Sequence, residues 1–344
     1  MRFAGLAALV ALILAAGAAA AFEVEAEATF PARERPARRL DVISTTDIRV
    51  FAPILRAFQE ARPALEIRYV VVSTRELMRA VAEEGAAFDL AISSAMDLQY
   101  KLANDGLARR HGSPATRALP GWARWRERLF AFTQEPAVVV LRRDAFAPGA
   151  PPRTRDALIR VLRDDPGRFA GRVGTYDPRV SGLGYLFALE DSRRTDAYWR
   201  LTEVMGRLDA KLYCCSGEMI DAVLEGRLDL AYNVLGSYAA QRIAGRDDVL
   251  ILRPGDYTTV MLRTALIPEG ARNPADAGRL IDFLAGMSAR PALSRESGLP
   301  AIDAAALAAA PGLSPIRLGP GLLAGLDRLK RRAFLSAWSS AMEQ

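Results

Sequence analysis

Six short polar turns hold the residues of this 344-residue chain that could take hold of a small molecule. They are Thr45-Thr46, Ser93-Ser94, Thr175, Ser181-Gly182, Ser216 and Asn233. The sharpest lies within Gly171 to Phe187, where an apolar strand ends in Thr175, turns tightly and feeds a helix opening at Ser181-Gly182. A helix N-terminus presents unpaired backbone N–H groups, which suits an anion. Gly182 would let backbone approach a ligand with no Cβ in the way. Any single Ser or Thr at such a place reads equally well as a helix cap. Two doubly hydroxylated turns after neighbouring strands, Thr45-Thr46 and Ser93-Ser94, point beyond capping. Arg179 offers a bidentate charge-assisted contact, or else an ion pair with nearby Asp177. Gln134 and Tyr257 sit on extended segments and would touch a ligand or line a hinge. Asp47 and Asp177 read as turn braces. This is chemistry for holding a molecule, and a crevice lined with carboxylates would count against an anion.

Bond-making chemistry finds little support. His111 is the single histidine, with no Cys, Glu or second His beside it, which argues against zinc. No Gly-x-Ser-x-Gly elbow, nucleophile–base pair or paired carboxylates stand in the turns. No catalytic residue, metal site or cofactor is therefore expected, and the chain reads as a non-enzyme. The only cysteines, Cys214 and Cys215, are neighbours; they form a vicinal disulfide or stay thiols, and the sequence leaves both open. The net charge is +6, but Arg is interleaved with Asp and Glu and no basic-aromatic stripe appears. Nucleic acid is excluded as the main partner.

The elements that position these turns alternate strand and helix. Leu40 to Asp47, Leu65 to Val72 and Phe88 to Ile92 read as strands, each followed by an amphipathic helix. Such βα units imply a parallel sheet, with ligands gathering beyond the carboxyl ends of its strands. A second set runs from Val173 to Leu252. The long apolar segment Leu129 to Leu141, polar at Thr133 to Pro136, reads as a crossing between two lobes, and Asp256 to Leu262 as the return. Arg2, the apolar run Ala4 to Ala16 and the alanines 18–21 read as a cleaved secretory signal. The expected division is signal 1–21, flexible leader 22–39, first lobe 40–134, second lobe 135–257, and first lobe again over 258–344 with its C-terminal helices.

Residues 40 to 344 resemble a periplasmic solute-binding protein of the two-crossover class. Ser93-Ser94-Ala95-Met96-Asp97-Leu98-Gln99, the Thr175 to Leu186 motif and Tyr232-Asn233-Val234-Leu235-Gly236-Ser237-Tyr238 are similar to the ferric-iron and hexose-phosphate receptor branch of extracellular solute-binding proteins. The resemblance implies a two-lobed α/β Venus-flytrap fold in the periplasm that closes on a small molecule as a monomer. Its closed form would be read by an ABC permease, in transport, or by the periplasmic sensor domain of a histidine kinase. Iron-binding members carry adjacent tyrosines shortly after the Asn matching Asn233. Here Leu235 and Gly236 stand there, and neither offers the hard anionic oxygen that ferric iron requires. The expected ligand is a small organic anion, a sugar phosphate or carboxylate, with ferric iron or an exported transferase as alternatives. Its binding set is Thr45, Thr46, Ser93, Ser94, Gln134, Thr175, Arg179, Ser181, Gly182, Ser216, Asn233 and Tyr257.

Overall fold

The computed structural model describes residues 22–146 and 151–343; the expected signal segment, 1–21, lies outside them. In chain order the strands are β1 (Ala26–Phe30), β2 (Arg38–Ser44), β3 (Leu65–Val71), β4 (Leu90–Ser93), β5 (Arg124–Trp125), β6 (Leu129–Ala131) and β7 (Glu135–Arg142). They continue as β8 (Val173–Tyr176), β9 (Lys211–Tyr213), β10 (Leu230–Leu235), β11 (Val249–Leu252), β12 (Thr258–Met261), β13 (Thr264–Leu266) and β14 (Leu313–Pro315). One sheet has the order β1-β3-β2-β4-β13-β6-β5, the other β14-β12-β7-β10-β8-β9, with β11 also on β7.

Each sheet carries a run of parallel strands, β3-β2-β4 inside the first and β10-β8-β9 at one end of the second. β4 and β8 are buried along their whole length, and so read as continuous apolar runs broken only by their final hydroxyls. Helices cover them with amphipathic faces. Ile48–Glu60 turns Phe51, Ile54, Leu55 and Phe58 inward at helical spacing. Ser73 caps Thr74–Ala82 by accepting from the Glu76 N–H. One core runs from the first lobe through the hinge to the second sheet. A second fills the far side of that sheet.

The chain passes from the first sheet to the second between β6 and β7, and returns between β12 and β13. The return therefore falls at Leu262-Arg263 rather than at Tyr257, because β12 still pairs with β7 through Val260↔Pro136 and Met261↔Glu135. Two further expectations are corrected. Residues 22–39 are not a loose leader throughout: β1 pairs antiparallel with β3 from Ala26↔Val71 to Phe30↔Ile67. Alternation of small and acidic residues hid an edge strand there. The C-terminal helix Arg328–Met342 does not pack on the first lobe either. Its Trp338 and Met342 join the second lobe's outer core. Phe334 meets Tyr185 and Trp199, and a Cβ on Gly206 would stand 2.6 Å from the Ala341 and Met342 carbonyls. Just upstream, Leu318 N–H donates to the Trp122 carbonyl of the first lobe and Leu322 joins that lobe's core. The tail is thus a third strap between the lobes.

Candidate functional site

A cleft with a cavity of about 270 Å³ opens between the carboxyl ends of the two parallel sets. From the first lobe, the turn after β2 supplies Thr45 and Asp47, the turn after β3 Ser73 and Thr74, and the turn after β4 Ser94. From the second, the turns after β8, β9 and β10 supply Ser181, the Cys214–Ser216 segment and Leu235. The two first-lobe hydroxyl turns are bonded to each other: Ser94 N–H donates to Thr45 Oγ1 at 3.2 Å. Ser216 Oγ accepts from the Leu235 N–H at 2.9 Å and hydrogen-bonds Tyr176. Ser181 Oγ accepts from the Gly184 N–H, capping the Gly182–Arg194 helix.

Four of the expected residues, Thr45, Ser94, Ser181 and Ser216, line this cleft. The others do not, each for a physical reason. Thr46 is buried with its Oγ1 accepting from Arg263 Nη1 at 2.7 Å. Ser93 Oγ accepts from the Ala95 N–H. Thr175 is buried within β8, opposite Leu212. Gln134 accepts from the Asp303 N–H beside a separate cavity. Asn233, at φ 63° beside a β-bulge, donates to Asp191 at 2.8 Å, and Tyr257 OH donates to the same carboxylate at 2.9 Å. Arg179 is held bidentate by Asp177, pairs with Glu343 and lies over Trp338, so its donors are committed. Gly182 does meet a close neighbour, but that neighbour is Thr74 of the other lobe, whose Oγ1 accepts its N–H at 2.9 Å.

Charge is what the sequence reading missed. Glu25, Asp47, Glu218 and Asp221 all line the cleft, against a single cation, Arg242. Asp47 precedes the Ile48–Glu60 helix without capping it, and stands 3.6 Å from Arg242 Nη2 across the cleft. Arg242 Nη1 donates to both oxygens of Asp221 at 2.6 Å. Its Nε is buried with no partner in the structure. Gly217 makes room for this guanidinium, since a Cβ there would stand 2.8 Å from Nη2. Burial pushes the Tyr238 phenol up to about 12, so it stays neutral and accepts from the Asp47 N–H at 3.2 Å. The Glu25 carboxyl is held above its usual range by burial, then by Asp47 and Glu218. Cys214 and Cys215 are joined as a vicinal disulfide on the cleft wall. Among the described residues, no three His, Cys, Asp or Glu converge to hold a metal ion, and no helix is long and apolar enough to cross a membrane.

The lobes touch across the cleft at Thr74–Gly182, Asp47–Tyr238 and Asp47–Arg242. Gly182→Ala should disrupt the first contact, because the new Cβ would stand 2.6 Å from Thr74 Oγ1 and 3.1 Å from Leu98. Overpacking of this kind costs about 1–3 kcal/mol, and here it falls on the closed form alone. Small-angle scattering should show a larger radius of gyration for the variant than for the parent; equal radii would contradict this.

The family profile for bacterial extracellular solute-binding proteins matches residues 40–299. No curated protein matches the chain. Among solved structures, the substrate-binding protein of an ABC transporter from Agrobacterium tumefaciens is 34% identical, with a TM-score of 0.87, over 92% of this chain and 98% of that one. Iron-bound HitA from Pseudomonas aeruginosa is similar at 16% identity and TM-score 0.66, over 88% and 99% of the two chains. AfuA from Actinobacillus pleuropneumoniae, with fructose-6-phosphate bound, is similar at 13% and 0.70, over 89% and 99%. The last two likenesses are of fold.

Proposed function

This chain belongs to the bacterial extracellular solute-binding protein family, and from that premise we propose that its cleft holds a small solute bearing a positively charged group beside hydrogen-bonding oxygens. The observation that carries this reading is the lining: four carboxylates and one guanidinium around a hydroxyl-rich cavity. A bound cation would relieve the repulsion among Glu25, Asp47 and Glu218, while an acceptor oxygen would satisfy the buried Arg242 Nε. Closure follows as a population shift, because only the closed form offers the ligand both lobes at once. Delivery from the periplasm to an ABC permease is the output; presentation to a sensor kinase would use the same closed surface. The solute is held without being transformed, and turnover of a bound solute would instead mark a transferase.

The organic anion expected from the hydroxyl turns remains as a second reading. Arg242 Nε and the hydroxyls of Thr45, Ser94 and Ser216 favour it. Calorimetry on protein refolded to strip carried-over ligand separates the two. Amines, guanidines and zwitterions should bind, with Asp47→Asn and Glu218→Gln each weakening them about tenfold, the equivalent of one charge-assisted hydrogen bond. Affinity should fall as pH drops, because Glu25 takes up its proton above the usual carboxylate range. Tight binding of a sugar phosphate or dicarboxylate, kept in Asp47→Asn but lost in Arg242→Gln, would overturn the cationic reading in favour of the anion.

A further inference from the structure

Behind the Thr74–Gly182 contact lies a second chamber of about 350 Å³, separate from the cleft. Arg75 and Arg331 line it from the helices Thr74–Ala82 and Arg328–Met342, Asp97 from the first turn of Met96–Asn104, and Gly182 and Tyr185 from the second lobe. We propose that this chamber is a second binding site, for a small oxyanion held between Arg75 and Arg331 with Asp97 as a neutral hydrogen-bond donor.

The two arginines differ from most around them. Arg79 pairs with Glu76 and Glu84, and Arg179 with Asp177 and Glu343. Among the described residues, the Arg75 side chain donates only to the Arg179 carbonyl, at a long 3.4 Å, and the Arg331 guanidinium lies over the Tyr185 ring at 4.9 Å. Neither has a carboxylate within ion-pairing distance among the described residues. Asp97 is 2% exposed, and its Oδ1 is buried with no hydrogen-bond partner. A buried, unpartnered carboxyl oxygen in a chamber also lined by two guanidiniums without ion-pair partners is costly when the chamber is empty. An oxyanion meets both needs, accepting from the arginines and from the carboxylic acid. Such a ligand would tie the first lobe to the C-terminal strap.

Protonated Asp97 is the donor, so the site is pH-sensitive. Burial raises this carboxyl to about 7, against smaller lowering from the Leu98 backbone and Arg331. The groups around it are Arg75, Glu76, Arg79 and Glu83 from one side, Glu190 and Tyr185 from the second lobe, and Arg331 from the strap. The test is calorimetric titration of the whole protein with inorganic phosphate, and in a separate arm acetate, in oxyanion-free buffer. Saturable phosphate binding is expected at pH 6, weakened about tenfold or more by either Arg75→Gln or Arg331→Gln, each removing a charge-assisted bond. Phosphate changes its own charge over this range, so the pH arm uses sulfate: parent affinity for sulfate should fall at pH 8, while Asp97→Asn binds sulfate equally at both pH values. Acetate binding as tightly as phosphate widens the ligand class to oxyanions at large; a phosphate response alone narrows it to phosphoryl groups. No saturable binding at pH 6, or binding that survives both arginine substitutions together, overturns the proposal. Phosphate binding that is unchanged in Arg242→Gln, which removes the one cation of the cleft lining, places it outside the cleft, so the two sites fail or stand independently.

Discussion

Arg263→Ala is expected to lower the unfolding free energy by about 3–5 kcal/mol, because it leaves a buried carboxylate without its partner. Arg263 and Glu135 are both fully buried at the two passages between the lobes. Arg263 Nε donates to Glu135 Oε1 at 2.9 Å and Nη2 to Oε2 at 3.1 Å, while Nη1 reaches Thr46 Oγ1. Thr133 and Ser237 donate to the same carboxylate, and the Arg263 N–H donates to Thr133 Oγ1 at 3.1 Å. Each guanidinium nitrogen and each carboxylate oxygen of the pair has a partner, so deleting one residue strands several groups. The double replacement Arg263→Met, Glu135→Leu removes both charges and should recover most of the loss. Urea unfolding of the single and double variants decides it. A loss under about 1 kcal/mol for Arg263→Ala would mean the pair merely fills space.

Asp97→Asn should act in the opposite direction, and only above about pH 4. The native carboxyl is raised from 3.8 to about 7, so its ionisation opposes folding. The sign follows from linkage: the native state is unpenalised below about pH 4, loses stability as pH rises from there to about 7, and levels off above it. The shift corresponds to at most about 4 kcal/mol at pH 8. Asp97→Asn is therefore expected to be more stable than the parent by a few kcal/mol at pH 8, with no gain near pH 4. Urea midpoints across that range check it, and a gain independent of pH would assign the effect to shape rather than charge.

The fold was legible because its signals are local. Apolar strands such as Leu65–Val71 and stripes such as Phe51, Ile54, Leu55 and Phe58 declare their neighbours within one turn or one pleat. The cleft was legible where a hydroxyl directly follows a parallel strand, as at Thr45 and Ser94. Tyr257 and Asn233 misled because Asp191, far away in sequence, draws both into the second lobe's interior. Thr46 misled for the same reason through Arg263. The acidic lining escaped notice because Asp221 and Arg242 lie on helices among interleaved charges of both signs, and Glu25 within the segment expected to be a flexible leader. Only the meeting of the lobes gives those charges a common address.

The strap formed by the C-terminal helix changes the mechanics of closure. Two parallel connections would let one half swing on the other like a door, with the angle set mainly by the ligand. A third tie-rod, anchored beside Trp122 at one end and on Gly206 at the other, narrows that freedom. It leaves a short arc, with the open and shut extremes closer together than two pivots alone would permit.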